Sequence, residues 1–415
     1  MSEAPMTPAR QLPPDPGGEP FALLQSVRIL DLTTSIAGPY ATLLLADFGA
    51  EVVKVERLGT GDDARHWGPP FLDGASLWFL SVNRNKQSLA LDYGRAEGHA
   101  LLLDLVRHAD VVVLNQVPRV QAKLGTDYAT LRAVRPDLIH VSLTGFGVTG
   151  AHADRPCYDL IAEGLSSVMD LTGEAGREPQ KVGTPAADLL AGMDAALATV
   201  AALLDRTRTG RGHQIDVSLV ESMTRFMAPR LVTYLGSGEL PRRSGAKDSV
   251  VAIYQTFETA DEPITLAVGN NAIWQRLCQA LGEPAMAEDP RFKTNADRRA
   301  VRPALIARIQ EILCTRGRDQ WLARFAEHAI PAGPIYRADE VAADAELLER
   351  GLFYRMTRSD GREIPQVNTG IHVDGAANAP RLPPPDLAEH GADLLRSILG
   401  KSDDEIFRLQ AAGII

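Results

Sequence analysis

The sequence has few cysteines and lacks the signatures of several common enzyme classes. Its 415 residues include three cysteines, Cys157, Cys278 and Cys314, whose spacing matches no zinc site. None of the nine histidines is followed by another four residues later, and neither G-x-x-x-x-G-K-[ST] nor G-x-S-x-G occurs. These absences argue against zinc hydrolases, P-loop proteins and hydrolases with a nucleophile elbow. We therefore predict no metal site.

Long apolar runs and excess positive charge are also scarce. Apart from the Ala-rich segment 189–204, no stretch of about 18 apolar residues occurs, so we expect no membrane span. The Pro-rich residues 1–24 lack the apolar region of a signal peptide and predict a disordered lead-in. The net charge of −10 argues against nucleic acid as a partner. Together with the few cysteines, these features indicate a cytoplasmic protein.

The first half of the chain alternates between predicted strands and helices. A-G-P-Y (37–40) is predicted as a turn and N-R-N-K (83–86) as a loop. The strands fall at 26–32, 51–56, 110–115 and 138–143, and the helices at 41–48, 96–108 and 128–134. This alternation predicts an α/β fold of Rossmann type, with a parallel sheet covered on both faces.

The pattern becomes less regular after residue 235. Two strand-like segments separated by A-D-E predict a hairpin, and helices are predicted at 272–281, 301–314 and 319–327. Two further helices, 391–399 and 402–411, lie near the end of the chain. The predicted organisation is a lead-in (1–24), a large Rossmann-like domain (25–235), a linker with a smaller α+β domain (236–335) and a C-terminal segment (336–415).

A helix over 189–204 is the most informative element, because Asp188 stands at its start. The helix is apolar nearly all round and is predicted to lie in the core. Asp188 falls at the N-cap or in the first turn, where unpaired amides and the helix dipole favour an anion. Considered alone, Asp188 is best interpreted as a cap.

Two further features suggest ligand binding, and each has a structural alternative. G145-F-G-V-T-G150 matches a dinucleotide-binding pattern, but Pro156 prevents a helix from starting directly after it, and we interpret it as a turn. Four basic residues lie after predicted strands or in the 83–86 loop and could together hold phosphates, or each could be a solvated surface cation. They are Arg57, Lys86, Arg119 and Lys123.

The ordered motifs along the chain resemble those of the family III CoA-transferases, of the formyl-CoA transferase and CaiB/BaiF type. The resemblance extends from Val27 to the C-terminus. Its motifs include S-I-A-G-P-Y-A-T-L-L-L-A-D-F-G-A-E-V-V-K-V-E-R, N-R-N-K-Q-S-L-A-L-D, A-D-V-V-V-L-N, L-I-H-V-S-L-T-G-F-G, A-A-D with T-G-R-G-H-Q-I-D-V-S-L, and D-P-R-F-K-T-N-A-D-R-R.

This resemblance implies a fold and a set of site residues. Family members have a Rossmann-like large domain to which the C-terminal segment returns, a small domain, and two chains interlocked as a homodimer. The family's catalytic aspartate matches Asp188. The positions that contact coenzyme A match Ser35, Ile36, Ala37, Arg57, Leu91, Asn115, Lys123 and Tyr158, with Asp159 beside them. Lys123 stands where an arginine is frequent, which would replace a bidentate phosphate contact with a point charge.

The implied activity moves CoA from an acyl-CoA donor to a carboxylic acid, with CoA as substrate and no permanently bound cofactor. Asp188 would attack the thioester to form a mixed anhydride, followed by an aspartyl-CoA thioester. Residues 244–248 match a loop that closes over the site, although only Gly245 remains of the family's glycine run. One alternative is an acyl-CoA racemase, but Tyr158 replaces the histidine that racemases place before the Asp159 position. The other is a non-catalytic CoA-binding protein.

Overall fold

The computed structural model describes residues 11–15 and 17–415, which form two compact units. The large unit comprises the described residues up to Val168, Lys181–Pro229 and Asp344–Ile415. The small unit comprises Met169–Gln180 and Arg230–Ala343.

The unit boundaries differ from the predicted ones. The chain passes into the small unit at Arg230 rather than at 236, and it returns to the large unit at Asp344 rather than at 336. The segment Met169–Gln180 also belongs to the small unit, which no sequence pattern indicated. It is attached there by a hydrogen bond from the Gly245 amide to the Gly173 carbonyl (2.9 Å).

Part of the predicted disordered lead-in packs against the large unit. Residues 1–10 and 16 lie outside the described residues. Within the remainder, the Pro13 carbonyl accepts a hydrogen bond from the Arg355 amide (2.9 Å). Phe21 is buried and stacks on Phe48 with ring centroids 6.0 Å apart. The described part of the lead-in therefore has fixed contacts.

Strands and helices alternate along most of the chain. The strands are β1 (Arg28–Asp31), β2 (Glu51–Glu56), β3 (Phe71–Leu72), β4 (Ala75–Ser76), β5 (Lys86–Ala90), β6 (Val111–Leu114), β7 (Ile139–Thr144), β8 (His213–Ser218), β9 (Tyr254–Phe257), β10 (Ile264–Ala267), β11 (Ala332–Pro334), β12 (Phe353–Thr357), β13 (Glu363–Val367), β14 (His372–Val373) and β15 (Ala376–Ala377). The helices are α1 (Ala37–Asp47), α2 (Leu77–Ser81), α3 (Ala96–Arg107), α4 (Pro118–Leu124), α5 (Tyr128–Val134), α6 (Asp159–Leu165), α7 (Val168–Leu171), α8 (Ala186–Thr209), α9 (Leu219–Phe226), α10 (Ala228–Ser237), α11 (Asn271–Leu281), α12 (Ala285–Glu288), α13 (Asn295–Ala300), α14 (Arg302–Leu313), α15 (Arg318–Glu327), α16 (Ala338–Ala342), α17 (Ala345–Glu349), α18 (Gly391–Leu399) and α19 (Asp403–Ala411).

A six-stranded parallel sheet forms the centre of the large unit, in the order β5-β2-β1-β6-β7-β8. Its apolar residues are buried, as in V-V-V-L of β6, because helices cover parallel sheets on both faces. Helices α18 and α19 contribute Leu394, Leu395 and Leu409 to the same core. The predicted α/β class is confirmed. Strands β5 and β8 were not predicted, and the first of them begins at Lys86, in the segment predicted as a loop.

Helix α1 begins earlier than predicted. Its first turn is A-G-P-Y, the segment interpreted as a turn from the sequence. A proline is tolerated in the first helical turn because the amide it lacks has no helical acceptor there. The remaining predicted helices and the β9–β10 hairpin are confirmed with small shifts at their ends.

Helix α8 packs tightly against α1 through small residues. A Cβ atom on Gly192 would lie 2.7 Å from the Ala37 carbonyl oxygen, closer than packed atoms allow. The opposite face carries large apolar side chains that this single chain leaves exposed, and Leu197 has 71% exposure. We call this stripe the α8 apolar face; it consists of Met193, Leu197, Val200 and Leu204. The prediction that the helix lies wholly in the core is therefore wrong for this face.

By length and composition alone, α8 is the one described helix that could cross a membrane. Half of its apolar window is buried within the chain, and core helices of globular proteins meet the same criterion. The finding is weak support for a membrane span.

The small unit has its own sheet and core. Strands β9, β10 and β11 form an antiparallel sheet in the order β11-β10-β9. One face packs on α11, α14 and α15 through a core that includes Trp274, Trp321 and Phe325.

Candidate active site

Asp188 lies in the first turn of α8, but it does not cap the helix. The backbone amides of Ala187 and Asp188 both donate to Oδ1 of Asp159, at 2.8 and 3.3 Å. Asp159 therefore supplies the carboxylate that satisfies the helix start. The prediction of Asp188 as a cap is wrong, because a residue 29 positions earlier in the chain already occupies that role.

The Asp188 carboxyl is buried and electrostatically perturbed. Its exposure is 8%, and no hydrogen bond to its carboxyl oxygens is found among the described residues. Burial, assisted by the negative charge of Asp159, raises the pKa of Asp188 to about 7. Because burial and the neighbouring negative charge disfavour ionisation, the ionised form is a more basic and more nucleophilic carboxylate than one in solution.

Asp188 opens onto a cavity of about 70 Å³, which we call the acyl cavity. Its walls come from the ends of neighbouring strands and from the segments before α6 and α9. Four of the residues predicted to contact CoA lie here with Asp188: Ser35, Ala37, Asn115 and Tyr158. The cavity has room for several water-sized groups.

A second cavity, of about 590 Å³, lies at the carboxyl ends of β1, β2, β5 and β6, and we call it the strand-end cavity. Ligands of open α/β sheets bind at this edge, and the volume suits a nucleotide-sized molecule. Arg57 and Leu91, both predicted CoA contacts, line it. The Arg57 guanidinium is half-exposed and paired with Asp63.

The two cavities are neighbours along the sheet edge. Thr34 and Gln116 line the strand-end cavity, and the adjacent Ser35 and Asn115 line the acyl cavity. Two hydrogen bonds hold these segments together: Thr34 N to Asn115 Oδ1 (3.2 Å) and Asn115 Nδ2 to the Thr34 carbonyl (2.8 Å). The two cavities are therefore adjacent, with the bonded Thr34 and Asn115 segments between them.

Three predicted CoA contacts are placed differently. Ile36 is buried and packs against Leu43 and Val82, so it supports the loop from beneath. Lys123 is exposed on α4, next to Leu124, which lines the strand-end cavity. The Asp159 carboxylate accepts a hydrogen bond from the Ala187 amide at the start of α8.

Of the four basic residues considered as phosphate ligands, Lys86 is excluded. It is fully buried, and its Nζ pairs with Asp31 (3.1 Å) and donates to the Pro39 carbonyl (2.7 Å). Burial, partly opposed by Asp31, lowers the pKa of Lys86 to about 8. A side chain with these partners supports the fold and cannot reach a phosphate. Arg119 is exposed and is not among the described residues that line the strand-end cavity.

A buried ion pair that sequence reasoning missed supports the Ser35 loop. Lys54 and Asp62 are both fully buried and 2.8 Å apart. Oδ1 of Asp62 accepts from the Ser35 amide (2.8 Å), and Ser35 has a φ of 72°, in the left-handed region. Burial alone would lower the pKa of Lys54, but Asp62 and its acidic neighbours outweigh it and raise the pKa. The lysine within the largely apolar strand V-V-K-V-E could have indicated a buried ion pair.

The glycine motif and the predicted closing loop have structural roles. G145–G150 forms a turn in which the Val148 amide donates to the Asp216 carboxylate (3.0 Å), and α6 starts only at Asp159, which confirms the turn. In the small unit, Gly245 has a φ of 62°, and its amide donates to the Gly173 carbonyl.

Cys157 also lines the acyl cavity, but burial and the charge of Asp188 raise the pKa of its thiol and disfavour a thiolate nucleophile.

Comparison with known proteins identifies the family. Residues 24–391 match the family described as CoA-transferase family III. The chain belongs to this family. The predicted resemblance is confirmed, and the protein is a CoA-transferase of family III.

The relatives of this CoA-transferase include several with named substrates. It is 38% identical to succinate–glutarate CoA-transferase of Agrobacterium fabrum, over 90% of this chain and 95% of that protein. It is 34% identical to human succinyl-CoA:glutarate CoA-transferase (94% and 90%). It is also 34% identical to acetyl-CoA:oxalate CoA-transferase of Acetobacter aceti (91% and 96%).

Solved structures share the fold of this family III chain. A CaiB/BaiF family protein from Brucella suis is 38% identical and superposes with a TM-score of 0.79, covering 92% of this chain and 100% of that one. The hypothetical protein Rv3272 from Mycobacterium tuberculosis is 28% identical with a TM-score of 0.79, at 90% and 99% coverage.

Proposed function

We propose that this CoA-transferase moves CoA between an acyl-CoA donor and a carboxylic acid through covalent intermediates on Asp188. The position of Asp188 carries this proposal: a buried carboxyl, without hydrogen-bond donors among the described residues, lies at the acyl cavity beside a cavity of nucleotide size. A carboxylate nucleophile needs a substrate carbonyl within reach and little competing water. Both conditions are met by the acyl cavity once a thioester fills it.

The reaction divides into balanced steps. An Asp188 oxygen attacks the thioester carbon, the C–S bond breaks, and a mixed anhydride and CoA thiolate form. The thiolate then attacks the Asp188 carboxyl carbon, releasing the donor acid and leaving an aspartyl-CoA thioester. The acceptor carboxylate attacks the carbonyl carbon of that thioester, which breaks the C–S bond, releases CoA thiolate and forms a second anhydride. The thiolate then attacks the acceptor acyl carbon of this anhydride and displaces the Asp188 carboxylate. Free Asp188 and the new acyl-CoA result.

The strand-end cavity is the proposed binding site of the nucleotide part of CoA. Among the described residues that line it, Arg57 is the cation that can exchange its Asp63 partner for a phosphate. Lys123 on the neighbouring helix would add a second, point-like charge. CoA enters as substrate, and no step requires a bound cofactor.

We propose a dicarboxylic acid as acceptor and succinyl-CoA as donor. The names of the relatives support this choice, since those acting on glutarate, D-citramalate and mesaconate use succinyl-CoA. A homodimer, interlocked as the family resemblance implies, is also proposed. The α8 apolar face supports it, because an exposed apolar stripe on a central helix is typical of an interface.

Trapping of the intermediate tests the mechanism. The protein is incubated with succinyl-CoA, then with hydroxylamine, and digested for mass spectrometry. We expect a hydroxamate on the peptide that contains Asp188, and none in Asp188→Asn, which still binds CoA. A variant with full transfer activity would disprove the assignment of the nucleophile.

The two alternatives give different results in parallel assays. A racemase would incorporate solvent deuterium at the α-carbon of a 2-methylacyl-CoA. A CoA-binding protein would bind CoA but form no hydroxamate with any donor. Neither alternative is favoured, because Tyr158 rather than histidine lines the acyl cavity and Asp188 is retained.

A further inference from the structure

Glu163 is a fully buried acid beside the active site that the proposed mechanism does not use. It lies on α6, one turn after Asp159, and is 0% exposed. Its Oε2 accepts from the Val182 amide (2.9 Å). No donor for its Oε1 is found in the part of the chain that the structure describes. A buried carboxylate oxygen without a donor is costly, so its protonation state needs an explanation.

The neighbour of Glu163 supplies that explanation. Asp159 and Glu163 are four residues apart on α6, so their side chains lie on the same face of the helix. Besides burial, the charge of Asp159 and a side-chain hydrogen bond with it both raise the pKa of Glu163. Two ionised carboxylates can only accept, whereas one protonated carboxyl can donate to the other. A single proton therefore converts a repulsive pair into a hydrogen-bonded one and satisfies Oε1 of Glu163.

The surroundings assign that proton to Glu163 rather than to Asp159. Oδ1 of Asp159 accepts two amides at the start of α8, where the helix dipole favours an anion. Burial, strengthened by the Asp159 charge, raises the pKa of Glu163; only the Val182 amide and Lys181 oppose this rise.

The other helices packed on α6 supply charges that do not alter this assignment. Helix α8 contributes Asp188, an acid whose own pKa is raised by burial and by Asp159, and which supplies no positive charge to Glu163. Helix α9 contributes Arg225, which is exposed and paired with Asp194, and Glu221.

We propose that Glu163 is a positioning residue whose protonated carboxyl donates to Asp159 and so fixes the carboxylate that holds the start of α8, and with it Asp188. This inference rests on the proposed role of Asp188. The chain of contacts runs from the Val182 amide through Glu163 and Asp159 to the Asp188 amide. Loss of the Glu163 donor would leave Asp159 free to rotate and displace Asp188 relative to a bound thioester.

Two substitutions separate the donor from the charge. Glu163→Gln keeps an N–H donor at the same distance and removes the titration. Glu163→Leu keeps a similar volume and removes the donor. We expect Glu163→Gln to retain the greater part of kcat, and Glu163→Leu to lose on the order of tenfold in kcat with little change in KM for succinyl-CoA. Equal kcat for both variants, or a larger loss in Glu163→Gln, would overturn the proposal.

Infrared spectroscopy tests the proton directly, without activity. The measurement uses Asp188→Asn, in which Asp188 cannot contribute. We expect a protonated-carboxyl band at neutral pH that disappears when Glu163→Gln is added. No difference between the two proteins would overturn the proposal, even if Glu163→Leu fails to fold. Failure of the proposed function is seen separately, as the absence of a hydroxamate on Asp188 in the unsubstituted protein.

Discussion

The Asp159 carboxylate accepts a hydrogen bond from the Asp188 backbone amide at 3.3 Å. Two acids thus share one helix start: one holds the amides, and the other faces the acyl cavity without a donor among the described residues. The arrangement uses the favourable field of the helix on Asp159 and leaves Asp188 desolvated. Their hydrogen bonds therefore distinguish the two acids: Asp159 has a structural role, and Asp188 is left available for reaction.

Transfer activity is expected to rise with pH through the pKa of Asp188. Because burial and Asp159 raise this pKa to about 7, the nucleophile is largely protonated under acidic conditions. We expect kcat/KM for succinyl-CoA to fall about tenfold per pH unit well below that value. Steady-state rates across the pH range check this. A flat profile through neutrality would contradict the prediction, provided that the thioester itself is stable.

Asp188→Asn is expected to stabilise the fold at neutral and alkaline pH. The folded-state pKa of about 7 exceeds the ordinary 3.8, so the Asp188 contribution to stability is complete below about pH 4 and is lost as pH rises to about 7. Above that, the ionised acid costs up to about 4 kcal/mol, at 1.36 kcal/mol per pH unit. Urea unfolding of both proteins should show curves that diverge as pH rises. A difference in the free energy of unfolding that stays the same at all pH values would show that ionisation of Asp188 does not affect stability.

Breaking the Lys54–Asp62 pair is expected to destabilise the large unit strongly. Lys54→Met leaves the buried Asp62 carboxylate, which holds the Ser35 amide, without its cation, and this costs about 3–5 kcal/mol. The double variant Lys54→Met/Asp62→Asn should recover much of that loss. Urea unfolding measures the free energies. A double variant no more stable than the single one would show that the charge is not the cause.

Arg57→Met is expected to weaken donor binding more than turnover. Removing a charged phosphate contact should raise KM for succinyl-CoA roughly tenfold, with a smaller change in kcat. Arg119→Met is the matched control, because this exposed arginine is outside the described lining of the strand-end cavity. Steady-state kinetics compare the two. If Arg119→Met raised KM as much as Arg57→Met, the phosphates would be assigned to a site that includes Arg119 on α4.

Local patterns in the sequence determined much of the fold. Apolar runs such as V-V-V-L, alternating with helical segments, predicted the parallel sheet, and the terminal helices were predicted at 391–399 and 402–411. Burial of both sheet faces leaves that signal in consecutive residues. Ordered motifs along the chain also indicated the family, and Asp188 as a candidate.

Only the tertiary structure decided which charges are available for chemistry. Lys86 looked like a phosphate ligand until its pairing with Asp31, 55 residues away, was seen. Asp188 looked like a cap until Asp159 was found in that place. Such pairings join residues far apart in sequence, and their energies depend on burial and distance, which no local periodicity encodes.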